Sequence, residues 1–383
     1  MKICYILSAI QIIWLILFNS IYCGAERTVR SACLQGSCNM AHALEEEVQF
    51  KDTIPRCMMF AMASSVNIKN GLLTTKNSLH IKIPYPTFIQ RPTEIKCSRA
   101  LTTGQHNEQY CIDIVRKRDY EGFLCSLLFP EAVRRSALAL RAFNVELAQI
   151  KDTVSQKTIG LMRLQFWKSA VEDIYRDDPP AQPVSAELWR AVRKHTLTRR
   201  WMLRIISERE KDMEDKAYRN LQELEAYGEN TQSSLLFLLL ETLGVKNVHS
   251  DHAASHIGKA QGILTCLRAT PYNSSRRKVY LPMDICMLHG ASQEDFIRGS
   301  RDQNIRDVVY DIASQAHVHL QHARSFSENV PHAALPAFLQ TVVLEDYLQR
   351  VRKVDFDVFH PSLQKRNPML PLQLYLRSWK KIY

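Results

Sequence analysis

The 383-residue sequence predicts an all-α protein, on three observations. The chain holds 12 glycines, where average usage would give roughly 27 in this length. Hairpins, bulges and phosphate loops all need glycine, so strand-rich and α/β architectures are disfavoured. Apolar residues recur at helical spacing over long stretches from about residue 106 onward. A hydrophobic content of 46% with 23% charged residues can fill a large core, which excludes a disordered chain.

Taken in chain order, residues 1–25 form a hydrophobic leader. An apolar stretch from Ile3 to Cys23 follows Lys2, and small residues come next at Gly24 and Ala25. This chemistry reads as a signal peptide or as a segment just long enough to span a bilayer. Residues 26–105 show no sustained period and are punctuated by Pro55, Pro84, Pro86 and Pro92, so they read as a low-order extension. Six of the ten cysteines precede residue 100 without CxxC spacing, which suits disulfides in a secreted chain better than zinc.

From 106 to 383 one helical domain is expected. Tyr110–Leu128 carries Ile112, Ile114, Val115, Phe123 and Leu124 at helical spacing, and Pro130 opens the next helix, which runs towards Asp152. Further helices are predicted over Thr158–Tyr175, Ala186–His195, Thr198–Ile206, Ala217–Leu243, Asp251–Ala269, Gln293–Gly299, Gln303–Arg324 and Ala333–Arg352. Pro179-Pro180 and Pro271–Ser275 read as loops. The run Leu235–Leu240 is too short to cross a bilayer and is flanked by Glu229 and Glu241, so it reads as a buried core helix.

The net charge of +11 is dispersed. Residues 1–105 carry 11 basic and 6 acidic side chains, a net +5, and leave +6 for the other 278 residues. No basic stripe with interleaved aromatics is present, so nucleic acid is not an expected partner, whereas weak attraction to an anionic membrane fits. P-loop, GxSxG and GxGxxG signatures are absent from the sequence, which removes support for nucleotide hydrolysis, serine hydrolysis and hydride transfer.

Four other patterns are weaker. His252 and His256 share a helix face, but Ala253 stands where a zinc protease has glutamate, so a structural role is expected. His317, His319 and His322 form a second cluster, of which His319 and His322 can face one way. Asp307 and Asp311 could hold Mg²⁺ from one helix face, though such pairs are common on solvated helices. Asn273-Ser274-Ser275 is a glycosylation sequon that matters only on the secretory path.

The segment Asp119-Tyr120-Glu121-Gly122-Phe123 through Pro130, Arg134-Arg135 and Leu138–Phe143 resembles the opening of the squalene/phytoene synthase family. Met162–Lys168 is similar to that family's RLxWW helix. Gly258–Arg268 followed by Arg276-Arg277-Lys278-Val279-Tyr280-Leu281-Pro282 resembles its NxxRDxxED…RxRVYLP block. The resemblance runs in consistent order from about 106 onward. It implies an isoprenoid-synthase-type helical bundle around a central cavity.

In that family two aspartate-rich motifs hold Mg²⁺ against a prenyl diphosphate, neutralising charge that grows as the leaving group ionises. Here the first motif reads Ala148-Gln149-Ile150-Lys151-Asp152, so one aspartate of the pair remains. Glu146 sits about 120° from Asp152 around the helix and does not replace the missing one. In the second motif Arg268 stands where the family has arginine, but Ala269 replaces aspartate, Tyr272-Asn273 replaces the acidic pair and Thr265 replaces asparagine. The resemblance therefore implies no Mg²⁺ cluster, no cofactor and no catalysis. Arg268, Arg276 and Lys278 remain as candidates for holding an anion, such as a lipid or diphosphate in the cavity.

Within the family, Phe143–Gln149, Asp251–Gly262 and Val354–Pro361 resemble a branch that helps to assemble mitochondrial respiratory complex I, the NADH dehydrogenase. That resemblance implies a non-catalytic binding module on the matrix side of the inner membrane, with complex I subunits or assembly intermediates and the membrane surface as partners. Two alternatives are a prenyl transferase with a non-standard site of Asp152, Asp307 and Asp311, and a secreted or anchored protein suggested by the leader.

Overall fold

The computed structural model describes residues 94–383, with side chains from Gly104 onward, and they form one compact helical unit. The leader 1–25 and the extension up to residue 93 lie outside the described residues, as do the cysteines before residue 94. No strand occurs among the described residues, as the glycine shortage predicts.

The first helix, α1, spans Glu94–Arg118 and so begins upstream of the 106 boundary. Residues 94–105 carry no apolar period, but Pro92 is the last proline before them, and a helix anchored by Cys111 and Val115 in the core propagates easily backwards. The predicted helix Tyr110–Leu128 is two helices, because α2 starts afresh at Tyr120–Leu127. Asp119 makes the break: its Oδ1 accepts from the Gly122 amide at 3.0 Å and caps α2.

The helix α3, Glu131–Thr153, is central and buried around most of its circumference, which is why its period is diluted. Phe143 meets Trp167 of α4, Lys157–Tyr175, edge to face at 5.3 Å. Next come α5 (Pro183–His195) and α6 (Arg199–Asp212). Glu187 of α5 is buried yet satisfied, gripped by Arg135 Nε at 2.7 Å and by Arg190 at 2.7 Å.

The predicted helix Ala217–Leu243 divides into α7 (Leu221–Gly228), a π segment (Glu229–Ser233) and α8 (Ser234–Thr242). Leu235, Leu236, Leu238, Leu239 and Leu240 are buried, so α8 is the core helix expected. No helix among the described residues is long and apolar enough to cross a membrane.

The longest helix, α9, spans Val248–Ser275. It is about 42 Å long at 1.5 Å per residue. The stretch Pro271–Ser275 is helical rather than a loop: Pro271 sits near the helix end, where it removes only the amide bond to the Leu267 carbonyl. Two glycines let α9 approach α7 and the π segment: a Cβ on Gly258 would lie 2.1 Å from Ser233 Oγ, and one on Gly262 would lie 2.5 Å from Gly228 Cα.

The chain continues through α10 (Met283–Leu288), α11 (Gln293–Ile297), α12 (Gln303–Ser325), α13 (Leu335–Phe338), α14 (Gln340–Lys353) and α15 (Leu370–Lys380). The sequence reading missed α10 and α15. α10 is too short to display a period, and α15 is apolar on two sides.

Candidate functional site

A cavity of about 220 Å³ opens between α3, α6, α7, α9 and the loop after α9. It is lined by Ala148 and Asp152 of the first motif and by Ala269 and Asn273 of the second. Residues four apart share a helix face, so each pair faces the same space. Arg276 and Lys278 line it too, through the loop that follows α9.

Two sequence candidates are not part of this group. Arg268 is one residue from Ala269 and so turned by about 100°. Its guanidinium enters a second cavity, of about 280 Å³, where it meets Glu121 of α2 at 2.6 Å. This anion position is already filled by the chain's own carboxylate. Tyr272 is exposed, and its ring carries the Arg276 guanidinium 4.4 Å above it. Thr265 lines both cavities.

Arg209 and Asp212, which no sequence motif marks, line the first cavity together with Tyr280, and Asp215 beside it pairs with the lysines of its wall. Lys151 reaches Asp212 Oδ1 at 3.1 Å and Asp215 Oδ1 at 3.3 Å, with its ammonium 4.2 Å above the Tyr280 ring. Lys278 pairs with Asp215 Oδ2 at 2.5 Å, and the Tyr280 hydroxyl donates to Asp215 Oδ1. Burial would raise the Asp215 carboxyl, but the bonds from Lys278 and Tyr280 and the charge of Lys151 outweigh it and hold it at about 2. Asp215 and Arg277 both take left-handed backbone, at φ 58° and 59°, a conformation that strains these two loop positions.

Arg209 donates to the Tyr227 hydroxyl and, at 3.5 Å, to Asn144 Oδ1. Burial raises the phenols of Tyr218, Tyr227 and Tyr280, so all three stay neutral.

These residues do not suit the Mg²⁺ cluster that the resemblance associates with the fold. Mg²⁺ needs convergent free oxygens. Ala148 and Ala269 offer none, Asp152 lies 3.7 Å from Arg276, and Asp212 is held by Lys151. The cavity wall also carries four cations: Lys151, Arg209, Arg276 and Lys278. Asp307 and Asp311 do not line it. The first accepts from Gln303 at 2.8 Å and the second binds His289 at 2.7 Å, so the alternative site with Asp152 is not assembled. Asn273 of the sequon lies in the helical cavity wall.

The two histidine clusters meet across α9 and α12. His256 Nδ1 and His319 Nδ1 are 3.0 Å apart, and the His322 ring lies 5.2 Å from that of His256. His319 Nε2 lies 3.2 Å from Glu225 Oε1. No group of three or more His, Cys, Asp or Glu among the described residues is set to hold a metal ion. The four cysteines with described side chains are free thiols, and burial pushes Cys111, Cys125 and Cys266 up to about 12.

The histidine contact predicts an acid sensitivity. Burial, followed by His319, His322, Lys259 and His252, pushes His256 down to about 4. Its neutral form is held in the fold, while the unfolded chain takes up a proton near pH 6.5. Stability is therefore fully present above about pH 6.5 and is lost as pH falls towards 4. Because the ring is half-exposed and screened, the loss is about 1–2 kcal/mol. Urea midpoints of the wild type and His256→Gln at pH 7 and pH 4.5 check it: the variant should lose less on acidification.

Residues 115–373 match the squalene/phytoene synthase family. The chain is 70% identical over 276 residues to the Bos taurus protein named NADH dehydrogenase (ubiquinone) complex I, assembly factor 6, covering 72% of this chain and 83% of that one. The Homo sapiens protein of the same name is 69% identical over the same length and shares. A phytoene synthase of Arthrospira platensis is 20% identical over 307 residues, 75% of this chain and 93% of that one. Among solved structures, a dehydrosqualene synthase in complex with a ligand aligns with a TM-score of 0.66 at 18% identity, over 74% of this chain and 99% of its own. On the extent of the family match and the identity of these relatives, the chain belongs to the squalene/phytoene synthase family.

Proposed function

We propose that this protein is a non-catalytic assembly factor for mitochondrial respiratory complex I, a binding module built on a prenyl-synthase bundle. It acts on the matrix side, peripherally on the inner membrane, and its partners are complex I subunits or assembly intermediates. The observation that carries the reading is the state of the first cavity. Ala148 and Ala269 stand at motif positions, and the carboxylates that remain are bound to Lys151, Arg276 and Lys278. A diphosphate enzyme needs those oxygens free for metal. The relatives near 70% identity bear the name of a complex I assembly factor, which supports the same reading.

Arg276 and Lys278 are each half engaged, so an anionic lipid could enter the cavity only by competing with Asp152 and Asp215 for them. Arg268 is withdrawn from that role by Glu121.

Depleting the protein from cells is expected to lower the amount of assembled complex I on native gels. Re-expressing the unaltered chain restores it, with no need to rebuild aspartates at 148 and 269. Intact complex I after complete depletion would overturn the assembly role. Purified protein incubated with Mg²⁺ and prenyl diphosphates is expected to give no product above the protein-free control, and turnover there would overturn the non-catalytic half.

A further inference from the structure

The helix α15 is apolar on two opposite sides. Leu370 and Leu374 are buried against the bundle. At about 100° per residue, Leu372, Leu376 and Trp379 fall within about 60° of one another on the other side. Trp379 is 72% exposed, Leu376 40%, and the flanking Met369 and Ile382 are 52% and 48% exposed. A surface helix that needs only one apolar face to pack does not require the second.

Charge identifies what the second face meets. From Val358 to Tyr383 the chain has five basic residues, Lys365, Arg366, Arg377, Lys380 and Lys381, and no acidic one. Arg377 is tied to Glu345 at 3.2 Å, and Arg366 lies 4.4 Å over the Tyr120 ring. Lys365, Lys380 and Lys381 are exposed and form no ion pair with a described carboxylate. The acids beside α15 are already in use: Glu345 also binds Arg324 at 2.8 Å, and Asp346 binds Arg350 at 3.1 Å. A tryptophan and leucines facing outward beside unpaired lysines, with the neighbouring acids Glu345 and Asp346 already neutralised by arginines, match the interface of an anionic bilayer. Tryptophan favours the headgroup level, where its ring is half in hydrocarbon and half in water.

We propose that the outer face of α15, centred on Leu376 and Trp379 and flanked by Lys380 and Lys381, is the surface by which this protein docks on an anionic lipid bilayer. The proposal rests on the peripheral membrane reading above and names its site. The apolar side chains enter the headgroup boundary while the lysines meet lipid phosphates, and α15 stays anchored to the bundle through Leu370 and Leu374.

Sedimentation of the full chain with vesicles tests it, using phosphatidylcholine alone and phosphatidylcholine mixed with phosphatidylglycerol. The wild type should prefer the anionic vesicles, increasingly so at low salt. Leu376→Ser with Trp379→Ser should weaken that binding by about tenfold or more. Lys380→Glu with Lys381→Glu should weaken it by a similar factor and abolish the preference for phosphatidylglycerol. Both residue pairs are exposed, so the melting temperatures of the variants should match the wild type. Trp379→Phe gives a local readout: quenching by brominated lipid that is larger in the wild type than in the variant places Trp379 in the bilayer. Vesicle binding that survives both double variants, without Trp379-dependent quenching, would overturn this site while leaving membrane association intact. No binding by the wild type would overturn the membrane reading itself.

Discussion

Replacing Gly258 with alanine is expected to destabilise the bundle by about 4 kcal/mol, or to prevent its folding. The added Cβ would lie 2.1 Å from Ser233 Oγ, 2.3 Å from Ser233 N and 2.6 Å from Ser233 Cα. The hydroxyl could turn away only by giving up its 3.0 Å bond to the Ser255 carbonyl, and Ser233 N and Cα, as backbone of the buried π segment, could not. The two helices would have to part along the seam where Gly262 meets Gly228. Helix propensity alone would favour alanine by about 1 kcal/mol, so an ordinary helical glycine would show the opposite sign. Thermal melts decide between the two, and a Tm equal to or above that of the wild type would refute the close approach. Gly244→Ala serves as the contrast. Its Cβ would meet nothing within 4 Å, and its cost would come from a φ of 70° rather than from a clash.

Asp119→Ala is the second large effect, expected at about 3–5 kcal/mol. Asp119 Oδ2 is the partner of Arg141 at 3.1 Å, and the Arg141 side chain is 3% exposed with its Nε unbonded. Removing the carboxylate would strand a buried cation, a far larger penalty than the pair's net worth. It would also remove the α2 cap, worth about 1 kcal/mol. Asp119→Asn keeps an oxygen for the Gly122 amide and should recover roughly the cap alone. Asp119→Ala combined with Arg141→Leu should recover part of the remainder, because the stranded charge is gone. Urea unfolding of the three variants separates the terms. A single-variant cost no greater than the cap would show that Arg141 does not depend on Asp119.

The parts of this protein that were legible in the sequence share a property: their signal repeats at helical spacing within one element. The placement of Ala148 with Asp152 on α3 is of this kind, because four residues make about one turn and the pair had to share a face. Asn273, read as part of a loop, joins Ala269 only because α9 stays helical through Pro271. Arg268 was legible as a motif residue but not as a direction, since a one-residue step carried it into the neighbouring cavity and to Glu121. Arg209, Asp212 and Asp215 lie in a charged run at the end of α6 that reads as solvated surface, and only packing against α3 turns it into cavity wall. His256 and His319 are 63 residues apart, and nothing local links them. The π segment was hidden because a sequence period does not distinguish one extra residue in a turn.

The charge pairs across the first cavity have one more consequence. Lys151 of α3 joins Asp212 of α6 and Asp215 beyond it, and Lys278 joins Asp215 from the loop after α9. A protein whose walls are closed by what it binds becomes more stable as that ligand accumulates. Here the closing groups are covalently part of the chain, present at one copy per molecule whatever the cell contains. The pairs that join these three elements form without a bound ion or metabolite, and salt and acid are what loosen them.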